Sequence, residues 1–377
     1  MNRSWAEERS LERAGLLAGS DVTHQVLRRA VVAEIGRMLP FDAFVWPLCD
    51  PLTTVGMAPR ARIPCPRELP RLIRLKYLSG PGRWTALMNS PSPVVTLLKA
   101  THGEPSRSPV WDGVLKHYGV RDVVSVVFAD KYGCWAWLDL WRTGDFGPFT
   151  DQEAAYLGEI TEAVTAGIRR SVSRQFRDGM GPDPLHPTNG KHADLPEQAV
   201  LTLDEDLAVA GQTASVADWL QLLQPGPSPH HQVPAEVLNV AAQLLAREAG
   251  VDAHEAGSRV HIGAGRWASL RANRMDSGGH GSAPLAVTIQ GCTTSDRLDM
   301  FARAFGLTPR QRELVWLASA GTDTETMAET QGVTQYTVQD QFKKIFQGCG
   351  VHSRPTLLAL ALGTGTGFGP KGTGSGA

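Results

Sequence analysis

The sequence has almost no net charge: 37 Lys and Arg against 38 Asp and Glu leave −1 over 377 residues. Bulk electrostatics therefore points to no polyanionic partner, and any contact with nucleic acid must be argued from one local region. No stretch approaches the roughly 18 uninterrupted apolar residues of a membrane span, so no membrane partner is expected. The first ten residues are charged and no apolar run follows them, so no secretory leader is expected and the expected location is cytoplasmic. The five cysteines, Cys49, Cys65, Cys134, Cys292 and Cys349, are odd in number and scattered, with no C-x-x-C pair. A disulfide framework or zinc site is left without support, and buried, reduced thiols are expected. Neither G-x-S-x-G, H-E-x-x-H nor a phosphate loop occurs, so no enzyme is expected and no cofactor or metal is implied. The pairs His230-His231 and Asp204-Asp206 read as solvated turn residues.

What the chain does have is apolar residues, 42% of it, spread along most of its length. That excludes wholesale disorder, and the length suits two or three domains. Residues 177–196 are dense in Pro, Gly and Asp and read as a linker; 364–377 read as a disordered tail. Before the linker, Val22, Val26, Leu27, Ala30, Val31, Ala33 and Ile35 have helical spacing over 22–39. A strand is expected at 41–48, a helix at 68–77, and two strands at 120–128 and 134–141 around a turn. Thr150 and Glu153 form a capping box that opens a long helix to about residue 172. In the second of those strands Trp135, Trp137 and Trp141 share one face, while Ala136, Leu138 and Leu140 share the other. This pattern predicts a sheet covered on both sides, with the tryptophans either packed under helices or lining a ligand pocket.

After the linker, strands are expected at 199–203, 207–210, 259–262, 267–274 and 285–290, with a helix at 215–223. Gly263, Gly265 and Ala268 match G-x-G-x-x-A but open no helix, so they read as turn chemistry.

The C-terminal region is the most informative. Thr308 caps, Pro309 suits the first helical position, and Gln311 completes a capping box. Leu314, Val315, Leu317 and Ala318 follow, and Gly321 ends the helix. A short helix begins at Thr322 or Asp323 and stops at Gly332. Only Gly332-Val333-Thr334 separates it from a third helix with a buried stripe of Val338, Phe342 and Ile345. Gly350 ends that helix, and Ser353 starts a fourth. A short helix, a Gly-containing turn and a longer helix are the layout of a helix-turn-helix, although a plain four-helix bundle for protein contacts fits the same pattern.

"LTPRQRELV", "MAETQGVTQYTV" and "GVHSRPTLLALAL", spread over all four helices, resemble the LuxR-type DNA-binding domain. The resemblance implies that Gln339, Asp340 and Lys343 fall at base-edge positions, with Gln335 and Tyr336 on the same face. It also implies that Thr337, Lys344 and Arg354 lie near the DNA backbone or support the helix. Residues 339 and 341, commonly basic and His in that family, are both Gln here, while Glu325 and Gly348 replace usually basic residues. Across 308–363, Arg310, Arg312, Lys343, Lys344 and Arg354 are matched one for one by Glu313, Asp323, Glu325, Glu329 and Asp340. Phosphate neutralisation carries most non-specific affinity, so such a head is expected to bind weakly alone and to lean on dimerisation.

Residues 22–176, with the Trp-rich strand ending in Arg142 and the helix entered through "PFTDQE", resemble a GAF-like sensory domain; 197–295 resemble a small PAS-like domain. The expected fold class is α+β: an N-terminal segment (1–21), a GAF-like α/β domain, the linker, the PAS-like domain and an all-α LuxR-type domain (302–363). The implied function is a transcriptional regulator acting as a homodimer on double-stranded DNA under a small-molecule effector or partner. The alternative is a regulator with weakened DNA binding that acts through protein contacts.

Overall fold

The computed structural model describes residues 5–80, 82–144, 146–178, 195–223, 233–276 and 283–363. His230 and His231, most of the linker and the tail lie outside them. The described residues form a mixed α+β fold with two antiparallel sheets.

Two helices come first, α1 (Trp5–Gly19) and α2 (His24–Met38). Thr23 caps α2 by accepting from the Val26 amide, and Leu27, Val31 and Ile35 form the expected buried stripe. Then follow β1 (Ala43–Cys49), β2 (Gly56–Arg62), α3 (Leu69–Leu78), α4 (Trp84–Leu87), β3 (Val94–Thr96), α5 (Leu97–Ala100), α6 (Pro109–Gly113), β4 (Val120–Asp130) and β5 (Gly133–Thr143). The strand order is β2-β1-β5-β4-β3. Every residue of β5 from Cys134 to Arg142 is buried, so both faces of the sheet are covered, as the alternation predicts. The helix α7 (Asp151–Arg177) opens on the predicted capping box. There the Glu153 amide donates to Thr150 Oγ1 at 3.2 Å, and the Thr150 amide donates to Glu153 Oε2 at 2.8 Å.

The second sheet is built from β6 (Ala199–Leu203), β7 (Val209–Gln212), β8 (Gly257–His261), β9 (Trp267–Arg274) and β10 (Leu285–Gly291), in the order β7-β6-β10-β9-β8. Two helices, α8 (Val216–Leu223) and α9 (Ala235–Glu248), lie between β7 and β8 in the chain. Asp204 Oδ1 accepts from the amides of Asp206 and Ala208, a side-chain-closed turn. Gly263 and Gly265 have φ of 89° and 66° in the β8–β9 turn, the left-handed backbone that glycine serves there.

Helix α9 has no counterpart among the sequence expectations. It is buried without a break from Glu236 to Ala246, so it shows no apolar/polar period to read. Its three buried polar side chains bond elsewhere in the fold. Glu236 accepts from the Ala58 amide, Asn239 donates to the Gly56 carbonyl, and Gln243 accepts from Arg83.

Both sheets, apart from the end residues His261 of β8 and Trp267 of β9, belong to one compact unit, made of the described residues within 5–172, 195–260 and 268–291. Two buried ion pairs tie its halves. Asp50 takes Arg259 bidentately, Oδ2 to Nε and Oδ1 to Nη2, both at 2.7 Å. Arg83 Nη2 meets Asp252 Oδ2 at 2.8 Å, with both side chains 2% exposed.

The second unit comprises 173–178, 261–267 and 292–363. Its helices are α10 (Thr294–Ala304), α11 (Pro309–Ser319), α12 (Thr324–Gln331), α13 (Gln335–Cys349) and α14 (Arg354–Leu362). Phe176 packs against Trp267, Phe301 and Phe305 with ring centroids 5.0, 5.4 and 6.1 Å apart. Buried Arg297 donates to the carbonyls of Gly265, Leu360 and Ala361, so α10 holds the last turn of α14.

All five cysteines are free; Cys292 is half-buried and the other four are buried. Among the described residues no helix is long and apolar enough to cross a membrane.

Candidate functional site

The second unit presents one candidate surface. The Thr308–Gln311 capping box forms as predicted at the start of α11. Asp323 caps α12, and Gly332 in the left-handed conformation closes it. Thr334 then caps α13, so the turn between the two helices is the three residues read from the sequence. Val338, Phe342, Ile345 and Cys349 bury one side of α13.

The opposite side is open. Gln335, Tyr336, Gln339, Lys343 and Lys344 are all exposed, Tyr336 at 76%. The other predicted site residues have different surroundings. Thr337 is half-buried against the Thr334 cap, its hydroxyl 3.0 Å from Thr334 Oγ1. Arg354 donates to Thr324 Oγ1 at 3.2 Å and lies 4.4 Å over the Phe342 ring, bracing α14 against α12 and α13. Asp340 holds Lys344 Nζ at 2.9 Å, an i,i+4 pair that masks half of the lysine charge on this helix. Among the described residues Lys343 has no such partner.

His261 belongs to the same unit and packs on Trp267 with ring centroids 5.3 Å apart. Burial, reinforced by the charges of Arg297 and Arg266, lowers its imidazole to about 4. The folded ring thus stays neutral where the unfolded ring, with its ordinary value near 6.5, takes up a proton. Stability from this group is complete above about pH 6.5, falls as pH drops toward 4, and changes no further below that. Acidification from pH 7 to pH 4.5 is expected to cost this unit roughly 1–2 kcal/mol. Thermal melts of the full chain and of His261→Gln test it: the variant should lose this part of the pH slope.

The first unit contains a cavity of about 70 Å³ between the sheet and α3, well above the roughly 10–15 Å³ that one water needs. Leu72, Ile73, Val110, Leu115 and Val123 make it largely apolar. Trp137 and Trp141 line it, as the pocket alternative requires. Trp135 does not: its indole donates to Asp130 Oδ1 at 2.9 Å, away from the cavity.

One polar group was missed. Asp139 sits between Trp137 and Trp141 on the same face, where it accepts from Ser125 Oγ at 2.7 Å and pairs with Lys76 Nζ at 2.7 Å. The signal was present: a carboxylate at a core-facing position of a strand is rare unless it has a partner. Trp137 Nε1 and Trp141 Nε1 are buried donors without a hydrogen-bond partner among the described residues. Buried donors are nearly always satisfied, so two of them on one cavity wall suit a bound molecule with acceptor atoms. Among the described residues there is no cluster of three or more His, Cys, Asp or Glu able to hold a metal ion.

Comparison with protein-family models gives no match, and no curated protein matches the chain.

Proposed function

We propose that this protein is a DNA-binding transcriptional regulator whose reading head is a LuxR-type helix-turn-helix formed by α12 and α13. The observation that carries this reading is the division of α13 into a buried stripe and an exposed face bearing Gln335, Tyr336, Gln339 and Lys343 after a three-residue turn. A helix presented that way can enter a major groove with its first turns against base edges. Gln339 suits adenine, whose N6 and N7 pair with an amide, and Asp340 suits the amino group of cytosine. The low local charge makes a homodimer on paired half-sites the working form, since two weak heads on one duplex add their contacts.

The first unit, GAF-like with a PAS-like second half, is the sensory part, and its cavity is the effector site. An effector there acts by favouring one dimer geometry over another, and half-site spacing converts that geometry into affinity. The cavity calls for a small molecule with an apolar body and acceptor atoms for the two indole N–H groups. Filling it by Val123→Trp is expected to abolish effector-dependent change in promoter output while leaving basal DNA binding within about twofold, because no residue of α12 or α13 is altered. A reporter assay with and without native extract, read alongside DNA binding, measures both.

The test of the main reading is selection of genomic fragments by the full chain at low salt. Enrichment of a shared, two-fold symmetric sequence supports it; no enrichment overturns it. A second reading has one specific observation in its favour, the Asp340–Lys344 pair, which weakens the positive face. Under that reading the same surface contacts a protein, and genetic function survives loss of both lysines.

A further inference from the structure

A larger open groove, of about 690 Å³, lies in the first unit between α2 and the outer strand β2. On the helix side Arg29, Ala33, Gly36 and Arg37 recur at i, i+4, i+7 and i+8, one face of α2. On the strand side Arg60 and Arg62 are two residues apart on β2, whose one strand neighbour among the described residues is β1. Alternate residues share a face, so both arginines point the same way with backbones roughly 7 Å apart. The groove is open because its helical wall is small: a Cβ on Gly36 would already lie 3.5 Å from the Phe41 ring. Phe41 and Phe44 supply an aromatic wall, edge to face with centroids 6.2 Å apart, and the Arg62 guanidinium lies 5.9 Å from each ring.

The charges here are not balanced from within. Arg37 shares Glu34 with Arg13 and Ser10, which uses that carboxylate fully. Among the described residues Arg29, Arg60 and Arg62 have no carboxylate within ion-pair distance. Arg60 also has a buried Nε with no acceptor. Beneath them Arg28, 2% exposed, is held by the Trp46 carbonyl at 2.6 Å and by His24 Nδ1 at 2.9 Å rather than by an acid. Glu236, the buried carboxyl of α9, accepts from the Ala58 amide and offsets the charge of Arg28 rather than that of the groove-lining arginines. Four guanidiniums, those of Arg29, Arg37, Arg60 and Arg62, thus line the groove, and the carboxylate nearest to Arg37 is already fully shared. Such a cluster repels itself, and its walls focus the field into the groove.

We propose that this groove is a second ligand site, for a small phosphorylated molecule with a planar ring, of the nucleotide class. Phosphate matches the fork geometry of arginine, which can be held bidentately from both β2 side chains with Arg29 closing from α2. A planar ring matches Phe41 and the face of Arg62, where stacking and cation–π attraction add. A duplex would need a longer basic stripe than the two-residue spacing of β2 offers. The site rests on neither the reading face of α13 nor the apolar cavity.

The experiment is equilibrium dialysis of the full chain with ADP, AMP, pyrophosphate and inorganic phosphate, repeated on Arg60→Ala/Arg62→Ala and on Phe41→Leu. ADP is expected to bind at least tenfold more tightly to the native chain than to the double-arginine variant. Phe41→Leu should weaken ADP by about threefold to tenfold and leave pyrophosphate unchanged, in line with the size of one aromatic contact. Arg60→Lys/Arg62→Lys keeps the charge and removes the forks, so it should recover less than half of the lost affinity. Circular dichroism melts of each variant confirm that the fold is kept. Equal affinity for ADP and pyrophosphate would sink the ring-binding half of the proposal. Indifference of all four ligands to the arginine substitutions would reduce the cluster to a solvated sheet edge.

Discussion

Replacing Lys343 and Lys344 together with alanine is expected to lower affinity for operator DNA about a hundredfold at low salt and to reduce the salt slope by roughly two contacts. These are the only cations on the exposed face of α13, since Arg354 is turned inward onto Thr324 and Phe342. With so few positive groups, each carries a larger share of the binding than it would on a basic domain. The two lysines are not equivalent. Lys344 is held by Asp340, so Lys343→Ala alone is expected to account for most of the loss. Asp340→Asn should act in the opposite direction and raise non-specific affinity several-fold, because it frees Lys344 and removes a charge that repels phosphate. Anisotropy titrations at three salt concentrations separate these effects, with a genetic reporter in parallel. Unchanged promoter occupancy together with unchanged phenotype in the double variant would transfer the surface to protein contacts.

The largest stability effect is expected at Asp50. Burial pushes its carboxyl up, but the Arg259 guanidinium and backbone donors more than offset that and leave it below the ordinary carboxylate value. Asp50→Ala strands Arg259 in the interior and is expected to cost the first unit about 3–5 kcal/mol, read by urea unfolding. The double change Asp50→Leu/Arg259→Met should cost far less than the sum of the single changes, because no uncompensated charge remains. Equal penalties for single and double variants would mean that the site matters through shape alone. The sign of the pH dependence follows from the depressed carboxyl. Stability from Asp50 is present above about pH 4 and is lost as pH falls through its lower folded value.

Local signals were read from the sequence with good fidelity. The capping boxes at Thr150/Glu153 and Thr308/Gln311, the left-handed glycines at 332 and 350, and the β8–β9 turn all form where the residues indicate. Each depends on atoms within a few residues of one another, so chain order contains the whole interaction. Alternation in β5 gave the covered sheet for the same reason, because side-chain direction in a strand is set by the backbone itself.

The features that define the first unit were not legible in that way. Helix α9 is buried on all sides and has no periodic face, and α10 shows its purpose only when Arg297 is seen to hold carbonyls about sixty residues away. Asp139 is an unremarked acid until Lys76 and Ser125 are brought against it. Asp50 finds Arg259 across 209 residues, and the arginines of α2 and β2 become one cluster only when helix and strand are laid side by side. The sequence by itself determined the elements that have a local signal, such as the capped helices α7 and α11 to α13 and the strands β4 and β5, whereas the tertiary structure decided the fully buried α9, which charges are paired and which are buried. The physical reason is that electrostatic energy depends on distance through space and on the water excluded along the way, and neither quantity is written in the order of the residues.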